Sequence, residues 1–121
     1  MPSPVEVREW HQREVIDSEG KEIGHAEDIY VDDRTGEPVF LLVRGGLFGN
    51  KMHFVPLEGA RLEDDKIRVA WDSGAIKDAP RISADEHLSE EEEKALFEHY
   101  GLDRGEAGAT ILVLRRMVIV G

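Results

Sequence analysis

From Glu14 to Trp71 the chain is a succession of short apolar runs separated by polar turns that carry glycine or aspartate. Such a pattern predicts β-structure. Glu14 to Asp17 reads as a short strand, and Ser18-Glu19-Gly20-Lys21 as a turn in which Gly20 supplies the positive φ of a tight reversal. Glu22 to Asp32 follows as a long strand, with Ile23, Ile29 and Val31 on one face and Ala26 and Tyr30 on the other. Gly24 inside it points to a bulge or a close backbone approach. Asp32-Asp33-Arg34-Thr35-Gly36 then turns the chain into a second long strand, Glu37 to Arg44. In that strand Val39, Leu41 and Val43 oppose Phe40 and Leu42, so both faces need cover. One cover is the core; a C-terminal helix, the tail or a second subunit would each serve as the other.

After the loop Gly45-Gly46-Leu47-Phe48-Gly49, Met52 to Leu57 is a strand that Pro56 confines to an edge or a bend, because proline donates no ladder hydrogen bond. A further strand begins at Ala60, Asp64-Asp65 turns it, and Lys66 to Trp71 returns with Ile67, Val69 and Trp71 on one face. Roughly six strands with turns every 8–12 residues argue for a small barrel or sandwich. Asp72 to Asp85 reads as an irregular crossing. A helix is expected over residues 89–100: Ser89 and Glu92 form a capping box, the acidic run Glu90 to Glu93 suits the helix dipole, and Gly101 fits a left-handed C-cap with Leu102 packing back on Phe97. Asp103 to Gly108 is a polar link. The tail TILVLRRMVIV is β-branched, too short to span a bilayer and interrupted by Arg115-Arg116, so it predicts a strand rather than a membrane helix.

With 121 residues the chain suits one core: a leader over 1–12, a barrel with its helix over 13–102, and a linker with an apolar tail over 103–121. The leader is expected to dock through Val5 and Trp10. The net charge of -11, from 26 acidic and 15 basic side chains, argues against nucleic acid and against anionic membrane surfaces. The absence of cysteine excludes disulfides and thiolate metal sites. MPSPVEVREW has no basic segment followed by an apolar run, so the expected address is the cytoplasm.

Several motifs together resemble the PRC-barrel family, chiefly its small stand-alone bacterial members. They are Asp17-Ser18-Glu19-Gly20-Lys21-Glu22-Ile23-Gly24, Asp28-Ile29-Tyr30-Val31-Asp32-Asp33 with Thr35-Gly36, Gly46-Leu47-Phe48-Gly49, and Phe54-Val55-Pro56-Leu57-Glu58-Gly59-Ala60. Lys77-Asp78-Ala79-Pro80-Arg81 and the stretch from Leu88-Ser89 to His99-Tyr100-Gly101 extend the likeness, which runs from Val15 to Leu102. The family is named for the cytoplasmic part of the reaction-centre H subunit and shared with the C-terminal domain of the ribosome maturation factor. The resemblance implies a mainly β fold, a six-stranded PRC-type β-barrel with one C-terminal α-helix, here followed by the apolar tail strand. It also implies no enzymatic activity, frequent dimerisation and adaptor roles, while no proton-entry or ribosome-contact residue transfers position by position.

Candidate chemistry is sparse. His11, His25, His53, His87 and His99 include no pair spaced to put two imidazoles on one helix or strand face, which favours partly exposed polar positions over a metal site. The run Glu90 to Glu93 lacks the alternating ligands and glycine turn of a calcium loop, so helix start and solvated face explain it. Asp28, Asp32 and Asp33 are carboxylates near a turn rather than an acid–base pair. The glycines of Gly45 to Gly49 lack the lysine and hydroxyl residue of a phosphate loop, and a strand follows them. No catalytic, cofactor-binding or metal residues are therefore assigned, and no cofactor is expected. The candidate interface is Leu47 and Phe48 at the loop tip with Ile111, Val113, Met117 and Ile119 in the tail. The loop tip could equally fold back on its own barrel, and the tail could close its own barrel or add a strand to a partner's. The reading is an adaptor that pairs with itself and with an unidentified protein partner; the alternative is a small-ligand or metal-responsive sensor using the barrel mouth.

Overall fold

The computed structural model describes residues 3–45, 51–82, 87–102 and 114–117, of which Leu114 and Arg115 are described by backbone alone. Helix α1, Pro4–Arg8, opens the chain and is a single turn secured by chemistry rather than length. Ser3 Oγ accepts from the Glu6 amide at 3.2 Å, Glu6 Oε1 accepts from the Ser3 amide at 3.4 Å, and a proline stands in its first turn. The turn aligns Val7 and Trp10, three residues apart, and both are buried in the core. Val5 is 76% exposed, so Val7 replaces it as the partner of Trp10.

Strand β1, Glu14–Ile16, pairs antiparallel with β2, Glu22–Asp32, and parallel with β6, Lys66–Arg68. The turn between β1 and β2 is built on Asp17 and on Gly20 at φ 85°. Strand β3, Pro38–Arg44, pairs with β2 across the Asp32–Gly36 turn, and β4, Met52–Pro56, pairs with β3. Strand β5, Arg61–Glu63, returns into β6 through Asp64 and Asp65, both at positive φ. The order is β4-β3-β2-β1-β6-β5, so β4 lies at an edge as Pro56 requires. Among the described residues no ladder joins β4 to β5; the small barrel-like sheet is not closed into a continuous barrel.

Two of the sequence expectations for β2 and β3 change at bulges. The register slips between Ala26 and Asp28, where Ala26 faces Val43 and Asp28 faces Leu42. The extra residue resets the alternation, placing Ala26 in the same core cluster as Ile23, Ile29 and Val31 rather than with Tyr30. A second slip, between Tyr30 and Val31, goes with Val39 packing on the Phe40 side instead of the Leu41 side. Gly24 sits at φ 147°, and a Cβ there would collide with the Arg44 carbonyl oxygen. Its predicted role as a point of close approach holds.

The stretch from Asp72 contains an unforeseen helix, α2, Ser73–Lys77. Asp72 caps it, accepting from the Ala75 amide at 2.8 Å, and Ile76 drops from it into the core. Helix α3, Glu90–Tyr100, has both predicted ends: Ser89 and Glu92 complete the capping box, Gly101 takes φ 67°, and the Leu102 amide donates to the Phe97 carbonyl at 2.9 Å. This helix settles what covers the second face of β3. Phe97 meets Phe40 edge to face at 5.4 Å, and the Tyr100 hydroxyl donates to the Phe54 carbonyl at 2.6 Å. The opposite face of the sheet, with Leu41, Val43 and Val55, closes on the main core.

The final strand, β7, Leu114–Arg116, lies antiparallel on β2. It is the described part of the predicted tail strand; residues 109–113 and 118–121 lie outside the described residues.

Candidate functional site

Around its bulge, β2 brings charged groups and main-chain pairing together. Glu27, next to the bulge, holds Arg44 Nε at 3.3 Å and His25 Nε2 at 3.5 Å, and its carbonyl accepts from His11 Nε2 at 2.8 Å. Asp28 faces Arg116, with Oδ2 to Nε at 3.5 Å. Burial pushes the Asp28 carboxyl above its usual range, partly opposed by Arg116 and His11 and reinforced by Glu27. Beyond Asp28, Tyr30, Val31 and Asp32 pair with Arg116, Arg115 and Leu114, and the Met117 amide donates to the Ile29 carbonyl at 2.7 Å. The Met117 side chain is buried in the main core. An extended segment is thus held on β2 by a ladder, one ion pair and one apolar anchor.

Of the six candidate interface residues, Leu47, Phe48, Ile111, Val113 and Ile119 lie outside the described residues. Met117 is covered by its own chain. Asp28 and Arg116 were not singled out as a pair by sequence reasoning. Their signal was the basic doublet Arg115-Arg116 inside an otherwise apolar tail.

The remaining candidates have structural work. Asp32 is buried and accepts from the Arg34 amide at 2.9 Å, with the Arg34 guanidinium at 3.3 Å, which is turn chemistry as expected. Asp17, buried as well, accepts from the amides of Glu19 at 2.9 Å, Lys21 at 2.8 Å and Ser73 at 3.0 Å, tying the first hairpin to the start of α2. Two expectations of solvent exposure fail. Glu93 is fully buried, because it lies one turn before Phe97 on the inner face of α3, whereas Glu90 to Glu92 remain outside. His53 is buried opposite Val43, and burial, followed by the charges of Arg81 and Lys51, lowers its pKa below 6.5. His99 instead bridges two helices, with Nε2 at 2.7 Å from the Ala75 carbonyl.

Among the described residues no three His, Asp or Glu side chains are grouped to hold a metal ion, and no helix is long and apolar enough to cross a membrane. Among the described residues, Val5 and Leu62 are the exposed large apolar side chains. No curated protein matches the chain. The model of the PRC-barrel domain, a family in general non-catalytic, matches residues 5–75. That match begins within α1, ends within α2 and takes in the whole six-strand ladder. With the motifs and the fold agreeing over more than half its length, the chain belongs to the PRC-barrel domain family.

Proposed function

We propose that the protein is a non-catalytic interaction module of the cytoplasm that forms a homodimer and serves as an adaptor for a further protein partner. The observation that carries this reading is the seat of β7 on β2: the sheet already binds an extended segment by main-chain pairing, with Met117 as anchor and Asp28–Arg116 as the charged contact. Three of the buried polar groups, Asp17, Asp32 and Tyr100, serve the fold, engaged in turns, a helix start and a strand carbonyl.

The residues proposed to contact another chain are Leu47, Phe48, Ile111, Val113 and Ile119, all outside the described residues. Phe48→Ser in the full chain tests the loop tip. The expected result is weaker self-association or partner binding with an unchanged melting profile. A collapse of the melting profile would assign Phe48 to the core of its own barrel and remove the loop from the interface.

A further inference from the structure

We infer that the outer edge of β5, Arg61-Leu62-Glu63, is a self-pairing interface, through which two copies of the chain join their sheets by an antiparallel β5–β5 contact centred on Leu62. This rests on the homodimer reading and names the surface through which the dimer forms. Strand β5 ends the strand order, and among the described residues no ladder occupies its outer side. Its hairpin turns on Asp64 and Asp65, at φ 52° and 66°, and closes on the pair Glu63 and Lys66. A two-residue turn of this kind makes its closing pair exchange both main-chain hydrogen bonds. Bonded pairs alternate along such a ladder, so Leu62, one residue before Glu63, directs its N–H and C=O away from β6 toward the open side.

The side chains call for a further strand at the same place. Leu62 lies opposite Ile67, which is fully buried in the main core, so it stands on the core-facing side of the sheet. It is nevertheless 41% exposed, because the strand order ends there. Arg61 and Glu63 stand on the other face, where Glu63 holds Arg61 at 3.5 Å and Arg68 at 3.1 Å. These charges select the occupant. In an antiparallel pairing about Leu62, Arg61 faces Glu63 of the partner subunit and Glu63 faces Arg61 of the partner subunit, so each copy complements the other. A parallel pairing in the same register sets like charges side by side. The chain as a whole carries a net -11, which makes two copies repel, but residues 61–68 contain three basic and three acidic side chains. The two hairpins therefore meet at a locally neutral surface. A strand of 3 residues gives a small contact of the weak, reversible class.

Charge reversal in the full-length chain, read by sedimentation equilibrium, tests the contact. Arg61→Glu and Glu63→Arg each oppose like charges twice in the dimer, and each is expected to raise the dissociation constant about tenfold. Mixing the two variants sets an acid against a base at both contacts, so mixed dimers should return to wild-type affinity. Recovery only when both changes are in one chain, with none on mixing, would confine the ion pair to a single chain and overturn the proposal, as would wild-type affinity in both single variants. In those two cases the dimer stands and only the β5 contact falls. A wild-type chain that stays a monomer at every concentration would overturn the homodimer reading as well. A cysteine variant covers a reversal that disturbs the hairpin. The chain has no cysteine, and the pairing sets the two Leu62 Cα atoms about 5.5 Å apart, within disulfide reach. Under mild oxidation, full-length Leu62→Cys should close to a covalent two-chain product well before full-length Val5→Cys, whose position is 76% exposed. Equal rates for the two variants would overturn the proposal.

Discussion

At the residue scale, Asp17 shows how a turn carboxylate stabilises this fold. Burial alone would raise its pKa, but the amides of Lys21, Glu19 and Ser73 outweigh it and hold the carboxyl below 3.8. The folded state therefore favours the ionised form. Its contribution is present above the unfolded value of 3.8 and is lost as the pH falls through the lower folded value. Asp17→Asn keeps the shape and removes the charge, so the expected cost at neutral pH is about 1.5–3 kcal/mol, the range for hydrogen bonds to a charged group. Urea unfolding measures it, and the deficit should shrink below about pH 4. A variant as stable as the wild type at pH 7 would show that the three amides are satisfied without the charge. His53 works in the same direction. Its lowered pKa means that the unfolded chain takes up the proton first, so stability is lost as the pH falls below 6.5.

Helix α3 carries the largest consequence at the scale of elements. Its apolar side buries Leu96, Phe97 and Tyr100 over Phe40, Leu42 and Phe54, giving the sheet its second covered face. Phe97→Ala should cost about 3–5 kcal/mol in urea unfolding, as buried phenylalanine truncations do, and should expose the outer face of β3 to a hydrophobic dye. A loss under about 1 kcal/mol would mean that α3 is dispensable as a cover. This helix was legible in the sequence because Ser89, Glu92 and Gly101 are local signals that require no knowledge of the rest of the chain. The Asp64-Asp65 turn and the edge position of Pro56 were legible for the same reason. Helices α1 and α2 were not, despite Ser3 and Asp72 at their caps. A single turn is marginal alone and forms here because Val7, Trp10 and Ile76 reach the core, which is tertiary information. Strict alternation also misplaced Ala26 and Val39, because a bulge adds a residue without any local mark as plain as a glycine.

For the whole molecule, the sequence located apolar material for an interface but not its destination. Met117 is apolar in any reading of the tail; that it enters the core beside Ile29 while Arg116 turns to Asp28 depends on a pairing between distant stretches of chain. The register of such a pairing is set by the assembled sheet. The same holds for the parallel union of β1 with β6, which no hairpin signal announces. What emerges is a small sheet covered on both faces, whose β2 edge holds the chain's own extended segment Leu114–Arg116. The protein is proposed to work by association with itself. Sedimentation equilibrium of the full-length chain across a wide range of concentrations tests it most directly. The predicted result is a particle of two 13.6 kDa chains that dissociates on dilution. A mass of one chain at every concentration would contradict it.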